Sequence, residues 1–239
     1  GHMTDVAIEE VLKPHKAVSI IWKPQVFLPF HPNGMKFVGK DLNGDVIDEW
    51  TVYSIGGGAL SDGTEGHDEL GAKDVYKLNT MAEIEKWCYD NGRSYWEYVE
   101  MCESSDIWDF LDVVWQTMKQ SVRHGLDHEG VLPGPLKLPR KAATYYTKAK
   151  GYRASLQSRG LVYAYALAVS EENASGGTIV TAPTCGACGV LPAVLYHMHT
   201  AHDMSEQRIL RALATAGLVG NIVKQNASIS GADVGCQGE

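Results

Sequence analysis

The sequence predicts an α+β protein with a small β-rich N-terminal part and a mostly α-helical remainder. Three observations predict it. Extended runs flank an Asn-Gly turn before residue 60. Capping boxes and apolar stripes of helical period take over after residue 80. The strand pattern does not return after them, and such segregation of element types is the mark of an α+β chain. The boundary falls near residue 78, giving a β-rich part over 1–78 and a helical domain over 79–239.

Ala17 to Trp22 reads as a strand. Lys36 to Lys40 and Val46 to Tyr53 read as two more, joined through Asn43-Gly44, residues that tolerate the positive φ of a tight hairpin. On the later strand Val46, Asp48, Trp50, Val52 and Ser54 share a face. Ser54 thus emerges at the strand end, just before Gly56-Gly57-Gly58, where the backbone can turn or approach a ligand closely. Residues 61–75 are rich in Gly and Asp and read as a loop.

Thr80-Met81-Ala82-Glu83 is a capping box, and Asn91-Gly92 ends the helix it opens. Ser94-Tyr95-Trp96-Glu97 starts a short helix through Cys102. A third begins near Ser105 with Ile107, Phe110, Leu111, Val114, Met118 and Val122 on one stripe, and ends at Gly125. The tryptophans and tyrosines from 87 to 115 fall on such stripes and read as core. Pro133, Pro135 and Pro139 make Glu129 to Arg140 an extended connector, since proline lacks an N–H and blocks helix continuation. Arg153 to Ser170 is a helix with so little polar surface that it belongs at the centre of a bundle. Val190 to Thr200 is helical, and Asp203-Met204-Ser205-Glu206 caps a last helix running to about Gln225.

The 239 residues suffice for one large or two smaller domains, and an apolar fraction of 44% supports a sizeable core. A net charge of −8 argues against nucleic acid and anionic membrane surfaces as partners. The most apolar stretch, Leu161 to Val169, is too short to span a membrane, and no secretory signal is present, so the expected compartment is the cytoplasm. Five cysteines, an odd number, favour reduced thiols or metal ligands over a closed disulfide framework.

Two glycine-rich stretches stand out as sites for chemistry, Thr181 to Gly189 and Asn226 to Glu239. Cys236 has Gly235 on one side and Gln237-Gly238 on the other, with nothing apolar to bury against, whereas an ordinary structural cysteine sits among apolar groups. Cys185 and Cys188 form a C-x-x-C, which by itself fits a redox pair, a zinc half-site or half of a cluster site; no second pair completes a zinc site. Thr184 is a candidate substrate contact just ahead of a helix N-terminus. Ser228 and Ser230 suit either loop capping or binding of a small carboxylate. His31 precedes Pro32-Asn33-Gly34, a turn that would hold its imidazole for substrate positioning or proton transfer. Asn33 and Ser54 are candidate substrate contacts beside it. His197, His199 and His202 spread around a helix at 100° per residue and read as a solvated face rather than a metal site.

Several of these blocks together resemble the iron–sulfur-dependent L-serine dehydratases (L-serine ammonia-lyases): "LPFHPNGM", "YSIGGG", "VWQTM", "EGVLPGPLKLPRKA", "ALAVSEENASGG", "TAPTCGACGVLPAVL" and "NASISGADVGCQGE", in that order and over nearly the whole chain. The family continues beyond Glu239 and begins before Gly1, so the resemblance implies a truncated C-terminus and a first domain without its start, including its "SSSHT" motif. Gly1-His2-Met3 reads either as a cloning remnant or, with Thr4-Asp5, as the family's Gly-His-x-Thr-Asp motif; in the second case His2 is a candidate general base. The resemblance implies β-elimination of water from L-serine, giving pyruvate and ammonia, with a 4Fe-4S cluster acting as Lewis acid and Cys236 as one of its ligands. The other ligands lie further along the family's chain, so this piece alone is expected to be cluster-free and inactive. It also places His31 at the active site, where the family's small first domain meets the catalytic one, and gives Cys185, where Asn is common, a packing or substrate-loop role with Cys188. The rival expectations are a related iron–sulfur lyase for another small amino acid such as cysteine, and a non-catalytic ligand-binding fragment. The long apolar stripes are also suited to a homo-oligomer interface.

Overall fold

In the computed structural model, residues 4–56, 59–64, 74–181 and 185–226 are described. The chain divides into two compact units, Gly1–Leu70 and Gly71–Glu239.

The first unit opens with helix α1 (Thr4–Leu12), which buries none of its residues. A Lys13–Glu9 ion pair closes its last turn, and Pro14 prevents a further one. The expected strand at Ala17 to Trp22 does not form: residues 17–23 have no regular structure, and Ile21 and Trp22 lie exposed. A strand is stabilised by a neighbour that completes its hydrogen-bond ladder, and this segment finds none among the described residues. The sheet instead has three antiparallel strands in the order β1 (Gly34–Lys40), β2 (Val46–Gly56) and β3 (Ala59–Ser61). β1 pairs with β2 from Gly34↔Tyr53 to Lys40↔Val46, with a bulge between Gly39 and Lys40. The third strand, too short to carry an alternating pattern, was not expected from the sequence.

The hairpin turn does form, though Asp41 organises it. One carboxylate oxygen of Asp41 accepts both Asn43 N–H and Asp45 N–H at 2.9 Å, and only Gly44 takes a positive φ, 92°. Val52, Tyr53 and Ser61 are buried, and the Phe30 ring meets Tyr53 at 5.0 Å. At the distal end Phe37 stacks on a half-exposed Trp50.

The second unit is helical: α2 (Met81–Asn91), α3 (Tyr95–Cys102), α4 (Ile107–Asp127), α5 (Ala142–Lys150), α6 (Ala154–Ala174), α7 (Val190–Ala201) and α8 (Glu206–Asn226), with a 3₁₀ turn at Cys185–Ala187. The capping box of α2 is closed from both sides: Glu83 N–H donates to Thr80 Oγ1 at 3.3 Å and Thr80 N–H to the Glu83 carboxylate at 3.0 Å. Gly92 ends the helix in the left-handed region. At α3, Ser94 N–H donates to Glu97 at 2.8 Å.

The stripe on α4 runs through Leu111, Trp115, Met118, Val122 and Gly125, all buried. Phe110, placed on the stripe from the sequence, is 61% exposed, because the face of the helix that meets α6, α7 and α8 is centred on Trp115. Tyr89 likewise lies outside the core that Tyr98 and Trp115 occupy. One cluster of buried side chains joins α2, α3, α4, α7 and α8 around Ile84, Tyr98, Trp115 and Ile209; a second holds Val122, Tyr165, Val169, Cys188 and Ala193.

α6 packs against α4, α5 and α7. Glycines allow two of these approaches. A Cβ on Gly125 of α4 would lie 2.2 Å from Ala168 O, and one on Gly189 ahead of α7 would lie 2.5 Å from Ala166 O. Tyr163, 60% exposed, shows that α6 nevertheless keeps one open side. The connector 129–140 is non-helical, as its prolines require, but instead of running extended it folds back on itself through a Val131↔Pro139 bridge and a turn between Gly134 and Lys137; the short helix α5 that follows was not anticipated. α8 starts at Glu206, and Asp203 takes a φ of 49° instead of capping it.

His197 and His199 are a further correction. His197 is 6% exposed, with Ser158 Oγ 2.7 Å from its Nε2. Burial, reinforced by His202, pushes its imidazole below the ordinary histidine range. His199 Nδ1–H donates to Met204 O at 3.0 Å, and its ring stands edge-on to Trp115 at 5.7 Å. The helical wheel predicted a spread around α7; which sector met α6 and α4 was decided by packing. Among the described residues no helix is long and apolar enough to cross a membrane.

Candidate functional site

In the first unit the chain enters the sheet through Phe30-His31-Pro32-Asn33-Gly34. Pro32 restricts φ, and the turn closes on the histidine itself: Asn33 N–H donates to His31 Nδ1 at 3.1 Å. The Asn33 carbonyl accepts the N–H of Ser54 from the end of β2 at 3.0 Å. His31, Asn33 and Ser54 are therefore connected through consecutive hydrogen bonds, which joins "HPNG" to "YSIGGG" at one end of the sheet.

The hydrogen bond assigns the tautomer of the neutral ring. A backbone N–H can only donate, so His31 Nδ1 is the acceptor and the neutral ring carries its proton on Nε2. In that state Nε2 carries the donor, which suits a carboxylate or hydroxyl oxygen.

In the second unit the polar constellation gathers where α6 ends. Glu171 and Glu172 are 5% and 4% exposed although they are adjacent carboxylates. Glu171 Oε1 accepts Lys141 N–H at 2.6 Å and Ala142 N–H at 3.2 Å, supplying the acceptors that the first turn of α5 lacks. Glu172 Oε1 lies 3.2 Å from Arg140 Nη1 and 3.0 Å from His128 Nδ1. Arg140 also donates through Nη2 to Ser175 Oγ at 2.5 Å. The planar guanidinium thus ties the connector to both sides of the helix end. Gly176 takes a φ of 81° and Gly177 N–H bonds back to Glu172 O at 2.8 Å, a Schellman closure. A Cβ on Gly177 would lie 2.5 Å from Glu172 Oε2, so a larger residue there would have to displace this carboxylate. Asn173 Nδ2 donates to Cys185 O at 3.3 Å, which fastens the cysteine turn to the same helix end.

The segments "EGVLPGPLKLPRKA", "SEENASGG" and "CGAC" thus meet in one place. Glu171, Glu172, Asn173, Arg140 and His128 were not picked as site residues from the sequence. The available signal was a Glu-Glu pair following directly on the most apolar stretch of the chain, Leu161 to Val169, where a charge is tolerated only with partners.

His2, Thr184, Ser228, Ser230 and Cys236 lie outside the described residues. Among the described residues no three His, Cys, Asp or Glu side chains converge on a position for a metal ion. Cys188, packed in an apolar cluster, has its thiol pushed up to about 11, opposite to the thiolate a metal requires. The described part of the chain therefore does not by itself offer a cluster site.

The comparisons with known proteins run along both units. The family model described as "Serine dehydratase alpha chain" matches residues 38–239, and that described as "Serine dehydratase beta chain" matches residues 2–65. The L-serine dehydratase of Haemophilus influenzae is 40% identical over 228 residues, 90% of this chain and 50% of that protein. L-serine dehydratase 1 of Escherichia coli is 40% identical over 225 residues, 89% of this chain and 49% of its own length. The L-serine dehydratase of Streptomyces coelicolor is 39% identical over 226 residues, again 89% and 49%. The chain spans about half the length of the curated relatives it matches.

Proposed function

The chain belongs to the serine dehydratase family, and on that premise we propose that it carries the substrate-handling part of an L-serine dehydratase, a lyase converting L-serine to pyruvate and ammonia. The observation that carries this reading is the 40% identity, over 90% of the chain, to a protein named for that activity.

The reaction removes the α-proton and the β-hydroxyl of serine as water, leaving aminoacrylate. Its imine tautomer then takes up water and releases ammonia. His31, with its proton on Nε2, donates a hydrogen bond to the substrate and positions it. His2, read as the histidine of the Gly-His-x-Thr-Asp motif, accepts the α-proton. Asn33 and Ser54, already linked to His31 through the backbone, contribute polar contacts to serine. Thr184, Ser228 and Ser230 hold its carboxylate and amine. Cys236 supplies a thiolate to a 4Fe-4S cluster, which when bound provides Lewis acidity toward the departing hydroxyl. Arg140, Glu171 and Glu172 are positioning residues that hold the loop preceding α5 and, with Asn173, the segment following Thr184.

The test is an anaerobic iron and sulfide assay on a form spanning the full length of its relatives, with pyruvate release from L-serine followed in parallel. About four irons per chain and turnover of serine are expected, both lost in Cys236→Ala. A folded, iron-free protein that still releases pyruvate would remove the cluster from the proposal. One that binds iron yet leaves serine untouched would remove the substrate.

A further inference from the structure

The C-x-x-C of this chain is not used by the proposed reaction, and its geometry has a chemistry of its own. Cys185 opens the 3₁₀ turn, and Cys188 N–H donates back to Cys185 O at 3.3 Å. In a 3₁₀ turn side chains at i and i+3 eclipse one another. A turn closed by an i to i+3 bond also keeps the two Cα atoms within about 7 Å. Disulfides bridge Cα atoms roughly 4.4–6.8 Å apart, so the backbone already brings these cysteines to the range a bond needs.

Both ends of the turn are clamped to α6. Asn173 holds the Cys185 carbonyl, and Gly189, directly after Cys188, lies against Ala166 O so closely that no Cβ would fit. The two thiols differ in access. Cys185 is half-buried, whereas Cys188 is 5% exposed among Val122, Tyr165, Val169 and Ala193. A dissolved oxidant therefore reaches Cys185 first, and Cys188 is reached from its neighbour across the turn.

We propose that Cys185 and Cys188 are a redox-sensitive dithiol, oxidised to an intramolecular disulfide by a low-molecular-weight disulfide, with Cys185 as the entry thiol and Cys188 as the resolving thiol. The Cys185 thiolate attacks one sulfur of the oxidant and expels the first thiolate, leaving a mixed disulfide. Cys188 attacks the Cys185 sulfur and passes its proton to the departing small thiolate, which leaves as the second thiol. Two protein thiols are oxidised by two electrons, and one small disulfide is reduced to two thiols. Neither step draws on the serine chemistry, so the pair stands or falls apart from that assignment.

The experiment uses the reduced native protein, incubated anaerobically with oxidised glutathione, then denatured, alkylated and mapped by mass spectrometry. The segment carrying both cysteines is expected to lose two hydrogens and to resist alkylation until reduced, while Cys88 and Cys102 remain alkylated. Cys188→Ser is expected to keep glutathione on Cys185, and Cys185→Ser to leave Cys188 as a free thiol. Alkylation of both cysteines after oxidation of the wild type overturns the proposal. So does uptake of glutathione by Cys188 in Cys185→Ser. Should either variant fail to fold, the wild-type map decides alone.

Discussion

The turns of the first unit and the end of α6 in the second hold their polar side chains by opposite means. In the first, the bonds are local. Asp41 binds N–H groups two and four residues ahead, and His31 binds one two residues ahead. In the second, Glu171 reaches backbone 29 and 30 residues away, and Glu172 reaches side chains 32 and 44 residues away. A local bond is available as soon as its turn forms. A distant one exists only after α4, α5 and α6 have packed, and it bears the desolvation cost of burying charge. The comparison teaches that the cluster at the end of α6 exists only through tertiary packing, whereas the hairpin turn rests on residues beside it.

Substitutions can break or sharpen that contrast. Trp115, fully buried where α4 meets α7 and α8, should show the largest effect: Trp115→Ala is expected to lower stability by about 3–5 kcal/mol in denaturant unfolding. A loss below about 1 kcal/mol would mean that this cluster does not govern the unit. Next, Arg140→Met removes the guanidinium from a pair whose side chains are 10% and 6% exposed, and leaves Glu172 with His128 alone. A loss of about 3 kcal/mol is expected. Combining it with Glu172→Gln should recover part of that loss, since the unpaired charge is then gone; strict additivity would show that the two groups are not coupled.

The smallest effect belongs to the hairpin and is read through pH. Backbone N–H groups hold the Asp41 carboxyl below the usual carboxylate range. A depressed folded pKa means that the unfolded chain binds the proton first. The stabilisation is therefore present above the unfolded value, about 3.9, and is lost as pH falls through the lower folded one. Asp41→Asn should flatten the acid limb of the β1–β2 amide-exchange profile below about pH 4 and leave the neutral region little changed. A change confined to neutral pH would show that the carboxylate acts through something other than its turn.

How much was legible beforehand follows the same division. The Asn-Gly hairpin, the capping box of α2 and the 3.6-residue stripe of α4 all rest on neighbours within a few residues, and all three were readable. His31 could be read as held by its turn because Pro32-Asn33-Gly34 is itself the turn. The cluster at the end of α6 was not readable as a cluster. Glu171, Arg140 and Asn173 each look ordinary until connector, helix end and cysteine turn are brought together.

By itself, then, the sequence determined where the β1–β2 turn and both ends of α2 fall, which class of fold results and which family the chain belongs to. Those properties depend on backbone preferences and on residues close along the chain. Only the tertiary structure decided that Ala17 to Trp22 stays unpaired, that Phe110 faces outward while Trp115 faces inward, and that His197 is buried against Ser158. Pairing, burial and the identity of a distant partner depend on which surfaces close against each other, and periodicity along one element leaves that choice open.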